Sequence, residues 1–340
     1  MFISARSGSV LGAAYRLGAW WCLLAALLAG WDLQGRWTEP GRVVVVWFKL
    51  WIFWASWALL PWLLGMLIGL HRSAGRRGQH GLGLVVLAVA AWGALVEPRL
   101  LVVRTHPLAL PAGSPPLRLA LVADLHLGLF VRGWQLERLV EVLNAQAVDA
   151  VVVAGDWTYD PPLDLQTALA PLAQLRHPVW AVLGNHDTES PGPPLTSVLR
   201  TALQTHGVQL LEGQAISFKG WEIVGLGDLW GADPRTDIAR LLPSAPPNRP
   251  RLVLAHQPDT AALLPTDAAT LVLSGHTHGG QITLPWITQH RVLPGISAYG
   301  WYAGRYSTPA GTLFVTTGVG TIGLPARLGV VPRVDVLQLH

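Results

Sequence analysis

Residues 43–70 read VVVVWFKLWIFWASWALLPWLLGMLIGL, 28 residues with a single charge, Lys49. A helix that spans a membrane needs about 20 mostly apolar residues. At about 1.5 Å per residue this run would measure roughly 42 Å, so it is expected to tilt or to enter the bilayer interface. Lys49 lies near its N-terminal end, where it can snorkel, and Pro61 is a candidate kink. Two shorter apolar runs, residues 17–31 and 82–96, flank it and reach spanning length only by borrowing neighbouring Gly and Ala. No small-residue cleavage site follows the first, so it does not read as a signal peptide. Three spans are expected, with Trp20, Trp21, Trp31, Trp37, Trp47 and Trp62 near their ends as an aromatic belt.

Composition supports this division. Charged residues make up 13% of the 340, about half the usual share of roughly 25%, and ten of the 17 tryptophans fall in the first hundred positions. A transmembrane region over residues 1–104 and an α/β domain over 105–340 follow. The net charge is +4 and the pI near 9.6, but the arginines are scattered or lie between apolar runs, and no Lys/Arg block points to nucleic acid. The single cysteine, Cys22, excludes an internal disulfide and a cysteine metal site. Arg6, Arg16, Arg72, Arg76 and Arg77 flank the spans on one side, against Arg36, Arg42, Arg99 and Arg104 on the other. Five against four favours a cytoplasmic N-terminus, which with three spans puts the C-terminal domain on the outer face of a bacterial inner membrane.

Beyond a Pro- and Gly-rich stretch at 106–116, read as a linker or an initial edge strand, short apolar runs recur: LRLALVADLH, AVDAVVVAGD, PVWAVLGNHD, WEIVGLGD, RLVLAHQP, ATLVLSGHTH and TLFVTTGVG. Runs of this length, rich in Val and Leu, read as strands covered on both faces. Helical stretches lie between some of them. RGWQLERLVEVLNAQ places Trp134, Leu136, Leu139, Val140 and Leu143 on one face, and residues 196–207 end on a glycine stop. The sum is a layered α/β domain with helices outside.

Five of these strands end in Asp, His or Asn: Asp124 and His126; Asp156; Asn185, His186 and Asp187; His256; His276 and His278. Each alone is most often a turn or loop residue. Together they occupy the carboxyl ends of strands, where open α/β sheets place ligands. His106, His177, His206, His290 and His340 have no such placement and read as loop or surface residues. A mixed N/O set without Cys suits Mn, Fe, Zn, Co or Mg rather than calcium. Seven ligands exceed the needs of one open site and match two metals sharing a carboxylate, an arrangement that stabilises in-line displacement at phosphorus.

The ordered blocks Asp-x-His (124–126), Gly-Asp (155–156), Gly-Asn-His-Asp (184–187), His256 and Gly-His-x-His (275–278) resemble the calcineurin-like metallophosphoesterase superfamily. GHTHGGQ and the late VTTGVGTIGLPARLG (315–329) are similar to a branch of membrane-associated bacterial phosphodiesterases, some of them like UDP-2,3-diacylglucosamine hydrolases of lipid A synthesis. The resemblance implies an α-β-β-α sandwich and two divalent metals. Asp124, His126 and His278 would hold one, Asn185, His256 and His276 the other, and Asp156 would bridge them. It further implies in-line attack by a hydroxide shared between the metals, with His186, oriented by Asp187, as the acid for the leaving oxygen. Trp157 and the Pro-rich 188–194 depart from the familiar pattern and are expected near where substrate comes in.

Arg327 is a candidate phosphate contact. Asp228 reads as a turn residue with a possible role behind the site, and Asp160 as an Asx-type turn before Pro161. The partners implied are a bilayer and a phosphodiester or pyrophosphate, with a lipid-linked substrate explaining the tether. A UDP-lipid is cytoplasmic and so stands against the orientation drawn from the charge count. The competing reading is a non-catalytic, metal-bound membrane sensor or scaffold, which has no need of His186. A transporter is excluded because the spans lack paired intramembrane charges.

Overall fold

The computed structural model describes residues 7–38, 40–73, 75, 77–109, 114–188, 195–242 and 249–340. Arg6 and Arg76, which enter the charge count, and residues 189–194 of the Pro-rich stretch lie outside them. The first hundred residues form four α-helices: α1 (Ser7–Leu33), α2 (Val43–Ala55), α3 (Leu59–Arg72) and α4 (Arg77–Ala91). They make three stretches long and apolar enough to cross a membrane: Leu11–Leu33, Pro40–Arg72 and Arg77–Arg99. The middle one is broken by a 3₁₀ turn at Ser56–Ala58. The break falls just ahead of Pro61, whose ring crowds the carbonyl four residues back. Trp20 and Trp31 face outward as a belt requires, whereas Trp47 packs on the apolar cluster where the helices meet the α/β domain.

In chain order the strands are β1 (Val102–Leu108), β2 (Leu117–Val122), β3 (Leu127–Gly128), β4 (Ala150–Ala154), β5 (Thr158–Tyr159), β6 (Val179–Val182) and β7 (Val208–Leu210). There follow β8 (Gln214–Phe218), β9 (Trp221–Gly225), β10 (Arg251–Leu254), β11 (Leu271–Ser274), β12 (Gly304–Thr308), β13 (Gly311–Val315) and β14 (Arg333–Leu339). All seven apolar runs singled out in the sequence are among them. The first strand begins at Val102, slightly ahead of the boundary expected at residue 104.

One sheet runs β1-β14-β2-β4-β6-β7 and the other β12-β13-β11-β10-β9-β8. Their inner faces meet in a core that includes Leu119, Leu121, Val152, Ile223, Leu252 and Leu273. Helices α5 (Gly133–Asn144), α6 (Leu165–Leu169) and α7 (Leu195–Thr205) cover the outer face of the first sheet. The outer face of the second is covered by α8 (Arg235–Leu241) and a 3₁₀ segment at Pro258–Leu263. This is the α-β-β-α sandwich. It arises because β2, β4, β6, β10 and β11 are apolar on both sides, so each sheet must be covered twice.

Four local expectations are corrected. Trp134 is half exposed, because it sits in the first turn of α5, beside Pro98 and Arg99 rather than over the sheet. His106 is not an ordinary loop residue: it lies in β1 with Nε2 2.8 Å from the buried Asp335. Lys49 and Asp160 meet each other at 3.1 Å, so neither the snorkelling lysine nor the simple Asx turn is found.

That contact belongs to a junction between the helices and the domain. Val46, Leu50 and Phe53 of α2 and Ala29 of α1 pack on Leu129, Phe130 and Tyr159, the chain just beyond His126 and Asp156. Asp32, at the end of α1, accepts from Arg36 at 2.7 Å and from Arg132 at 2.7 Å. Arg36 also donates to the Asp160 carbonyl at 2.9 Å.

Candidate metal centre

Parallel pairing of β2 with β4 and of β4 with β6 puts their carboxyl ends on one rim, as the pairing of β10 with β11 does in the other sheet. All the candidate ligands lie at that rim. Asp124, His126 and His278 form one group and Asp156, His256 and His276 a second, with the donor atoms of each group within 4.8 Å of one another. Asn185 joins the second group, its Oδ1 3.2 Å from His256 Nε2. Asp156 stands between the two, its Oδ2 3.6 Å from His126 Nε2 and 3.2 Å from His256 Nε2.

The backbone is bent to achieve this. Asp124, His126, Asp156, His276 and His278 all have positive φ, between 49° and 71°, a region costly for residues with a Cβ. Strain is thus repeated at five of the seven candidate ligands, and nothing in the sequence signals it. Neighbouring glycines give the room: a Cβ on Gly184 would lie 2.1 Å from Asp156 Oδ1, and one on Gly275 2.4 Å from the Ala123 Cβ.

The donor set fits cations. His126 Nε2 faces His278 Nε2 at 3.0 Å, and His276 Nδ1 faces His256 Nε2 at 3.2 Å. The Nδ1 of His256 lies 2.7 Å from the Ala154 carbonyl, which fixes that proton and turns Nε2 toward the site. Burial pushes His126 and His276 down to about 3 and holds His278 well below its ordinary value, so these three are neutral, as ligands must be. Burial pushes the Asp124 carboxyl up, to about 7, against the pull of His256. Burial would raise Asp156 too, but His256, His126 and His186 outweigh it and hold it well below the carboxylate range. Burial would depress His256, yet Asp156 draws it up to about 10. The buried carboxylates thus demand positive charge, which divalent cations at these two groups would supply.

His186 is partly exposed at the cleft. Its ring stands edge-on to Tyr159 and His126, with centroids 5.3 Å from each, and its backbone N–H donates to Asp156 Oδ1 at 3.0 Å. Asp187 is fully buried. Its carboxylate accepts from the N–H groups of Gly184, Trp157 and Thr158 at 2.9–3.1 Å and from the Thr158 hydroxyl. Burial and the Asp156 charge push it up to about 7 against those donors. It therefore clamps the Asp156 loop to the loop that carries Asn185 and His186.

Arg327 does not reach the cleft. It is fully buried and donates to the carbonyls of Gly320, Thr317 and Val330, with Nη2 3.3 Å from His278 Nδ1; burial lowers it to about 10. Its expected phosphate contact is replaced by a role behind His278. Trp157 is likewise buried, with Nε1 donating to the Val182 carbonyl at 3.2 Å, so it is a core residue rather than one at the substrate's approach. Asp228 is a turn residue, accepting from Trp230 N, Gly231 N and the Gln257 amide. Tyr159, three residues past the Gly155-Asp156 block, is a site neighbour that the sequence reading did not single out, because nothing in the sequence shows that its ring meets His186.

The ligands open into a cleft of about 510 Å³. One side carries Asp156, Asn185, His186 and His276; the other is apolar, with Ile282, Leu284, Ile287, Ile296, Ile322 and Leu324. The two late sequence signatures build that second side together. Gln281 of GHTHGGQ donates to the carbonyls of Ile322 and Leu324, and its Oε1 accepts from Ile322 N.

Residues 117–280 match the calcineurin-like phosphoesterase family. The chain is 29% identical over 277 residues to phosphodiesterase YaeI of Escherichia coli, covering 77% of this chain and 93% of that one. It is 28% identical over 306 residues to a Bos taurus transmembrane protein with metallophosphoesterase domain, covering 84% and 67%, and 29% identical over 265 residues to a Campylobacter jejuni metallophosphoesterase, covering 76% and 69%. With the ligand groups in place on the expected rim, the chain carries a calcineurin-like metallophosphoesterase domain and is a metal-dependent phosphoester hydrolase.

Proposed function

We propose that this protein is a membrane-anchored phosphoesterase that binds two divalent cations side by side and cleaves a phosphodiester or pyrophosphate bearing an apolar group. The observation that carries the reading is Asp156: a single carboxylate oxygen lies between a histidine of each ligand group. Asp124, His126 and His278 would hold one cation and Asn185, His256 and His276 the other, drawn from Mn, Fe, Zn or Mg. Such a pair supplies Lewis acidity to phosphoryl oxygens and lowers the pKa of coordinated water.

The chain's own groups do the rest. His186 reaches into the cleft beside Asn185 and His276 and gives a proton to the leaving oxygen. The Tyr159 and His126 rings fix its plane, and the hydrogen bond from its backbone to Asp156 ties its position to the metal loop. The apolar wall formed by Ile282, Leu284 and Ile287 accepts the substrate's apolar part, which suits a lipid-linked phosphoester. The three apolar stretches cross the bilayer, so the N-terminus and the catalytic domain lie on opposite faces; the Lys/Arg count assigns the domain to the non-cytoplasmic one. The phosphodiesterase name of the E. coli relative agrees with this reaction class.

Chelation of the full-length protein should abolish hydrolysis of an aryl phosphodiester, and added Mn²⁺ should restore it with two ions per chain by elemental analysis. Asp156→Ala should lower activity by at least about a thousandfold and lower the metal count, since each tenfold corresponds to about 1.4 kcal/mol. Full activity in Asp156→Ala, or one ion per fully active chain, would refute the two-cation reading.

A further inference from the structure

Between β11 and β12 the chain leaves the sandwich for nearly thirty residues, and this excursion is apolar on both of its sides. Ile282, Leu284 and Ile287 line the cleft. Facing away from the domain core, Trp286 is 62% exposed and Tyr299 57%, and Leu324 beside the cleft is 52% exposed. A folded surface rarely leaves this much large apolar surface together without something to cover it. Its charge is one-sided as well: no acidic residue occurs between His276 and Arg333, while His290 and Arg291 are exposed within the excursion.

Its position says what covers it. Ile282 bridges to Leu328 in parallel register, and Thr283 N donates to the Leu328 carbonyl at 2.8 Å. Next to Leu328, Arg327 N donates to the carbonyl of Gly93 at 2.9 Å. Gly93 lies six residues inside the third apolar stretch, which ends at Arg99, or roughly 9 Å along a helix rising about 1.5 Å per residue. On the other flank Ile322 packs on the cluster that holds Ala29, Val46, Leu50 and Phe53 of the first two stretches. The base of the excursion is therefore level with the parts of the helices nearest the α/β domain: the last turns of the first and third stretches and the first half of the second.

We infer that the segment from Leu284 to Tyr299 lies in the bilayer interface as a fourth membrane contact, so that the cleft opens at the lipid surface. Exposed Trp and Tyr beside basic residues are the composition that settles at the headgroup level. This rests on the reading of α1–α4 as membrane spans. It also accounts for an apolar wall beside a metal centre: an acyl chain can slide from lipid to the cleft without crossing water.

The test uses the full chain in nanodiscs containing phosphatidylglycerol. In a Cys22→Ser background, spin labels are placed at Trp286→Cys, Ile287→Cys and Tyr299→Cys, with Leu27→Cys on the exposed face of α1 and Arg138→Cys on exposed α5 as references. Collision with oxygen should exceed collision with a nickel chelate at the three excursion sites, at depths shallower than Leu27, and the order should reverse at Arg138. Nickel-accessible labels at the excursion sites, with Leu27 still in lipid, overturn the inference alone. Labels there shielded from both reagents would mean a protein partner or a second copy, and overturn it equally. Leu27 in water would instead overturn the membrane reading on which it rests.

Discussion

Two clusters of buried charge lie on either side of Tyr159, and they are built on opposite plans. At the helix–domain junction, Asp32 is answered by Arg36, Arg132 and the Trp54 indole. Asp160 is answered by Lys49 at 3.1 Å and Arg42 at 3.4 Å. Every carboxylate there meets donors supplied by the chain. At the candidate metal centre, ligand-type groups converge on one another instead: imidazole nitrogens stand 3.0 and 3.2 Å apart, and Asp156 points between two histidines. The first cluster is complete as folded, whereas the second gathers the groups that could hold cations. Buried charge of the first kind holds a structure together, and buried charge of the second kind exists to bind something.

The comparison makes the largest effects separable. On the proposed mechanism, His186→Gln removes the proton donor and leaves the seven candidate metal ligands in place. It should lower kcat by about a hundred- to ten-thousandfold while elemental analysis still finds the wild-type metal content. Loss of metal along with activity would show that His186 is part of the ligand set and not the acid. Asp32→Ala should do the reverse. It strands Arg36, which is buried, and Arg132, which is a quarter exposed. Removing one partner of a buried pair costs about 3–5 kcal/mol, and solvent at Arg132 brings this to about 2–3 kcal/mol. The apolar contacts of α2 cannot make up the difference where the alternative neighbour is lipid, which is as apolar as Leu. Thermal unfolding should shift down, with metal content and turnover per folded molecule unchanged. A protein that lost its metals while its melting temperature held would erase the distinction between the clusters.

How far the sequence shows these two clusters follows from the range of the interactions. The candidate ligands were legible because they cluster at five strand ends, where an apolar run of four to six residues stops at Asp, His or Asn; the signal is local and repeats five times. The sandwich was legible for the same reason, since strands without polar alternation must be covered on both faces. The junction was not. Lys49 and Asp160 are 111 positions apart, and nothing local at either marks the other, so one read as a snorkelling lysine and the other as a turn. Arg327 failed in the same way. Its burial depends on the carbonyls of Gly320, Thr317 and Val330 turning inward, and backbone direction in a loop has no periodic trace. The positive φ values at five ligands are equally silent, because Asp and His carry no mark of the conformation that the assembled rim imposes on them.

A third charge cluster, far from both, gives the smallest and most selective test. Glu222 on β9 accepts from Arg251 Nε at 2.6 Å and from Arg249 at 2.8 Å, and Arg251, almost fully buried, also donates to the Ala268 carbonyl at 3.0 Å. It is a closed cluster like the junction, so it should affect stability alone. Burial would raise the Glu222 carboxyl, but Arg251 and Arg249 outweigh it and hold it below its usual 4.5. A carboxyl depressed in the folded state binds its proton more readily when unfolded, so its contribution is full above pH 4.5 and is lost as pH falls toward the lower folded value. Glu222→Gln should therefore cost about 1 kcal/mol at neutral pH, and the gap from wild type should close as the medium is acidified below pH 4.5. Unfolding curves at pH 7, 5 and 4 measure it. A gap that stayed constant to pH 4 would mean that shape and hydrogen bonding, rather than charge, hold Glu222 to Arg251. A fall in phosphoesterase activity at neutral pH would mean that this remote cluster communicates with the rim and is not closed at all.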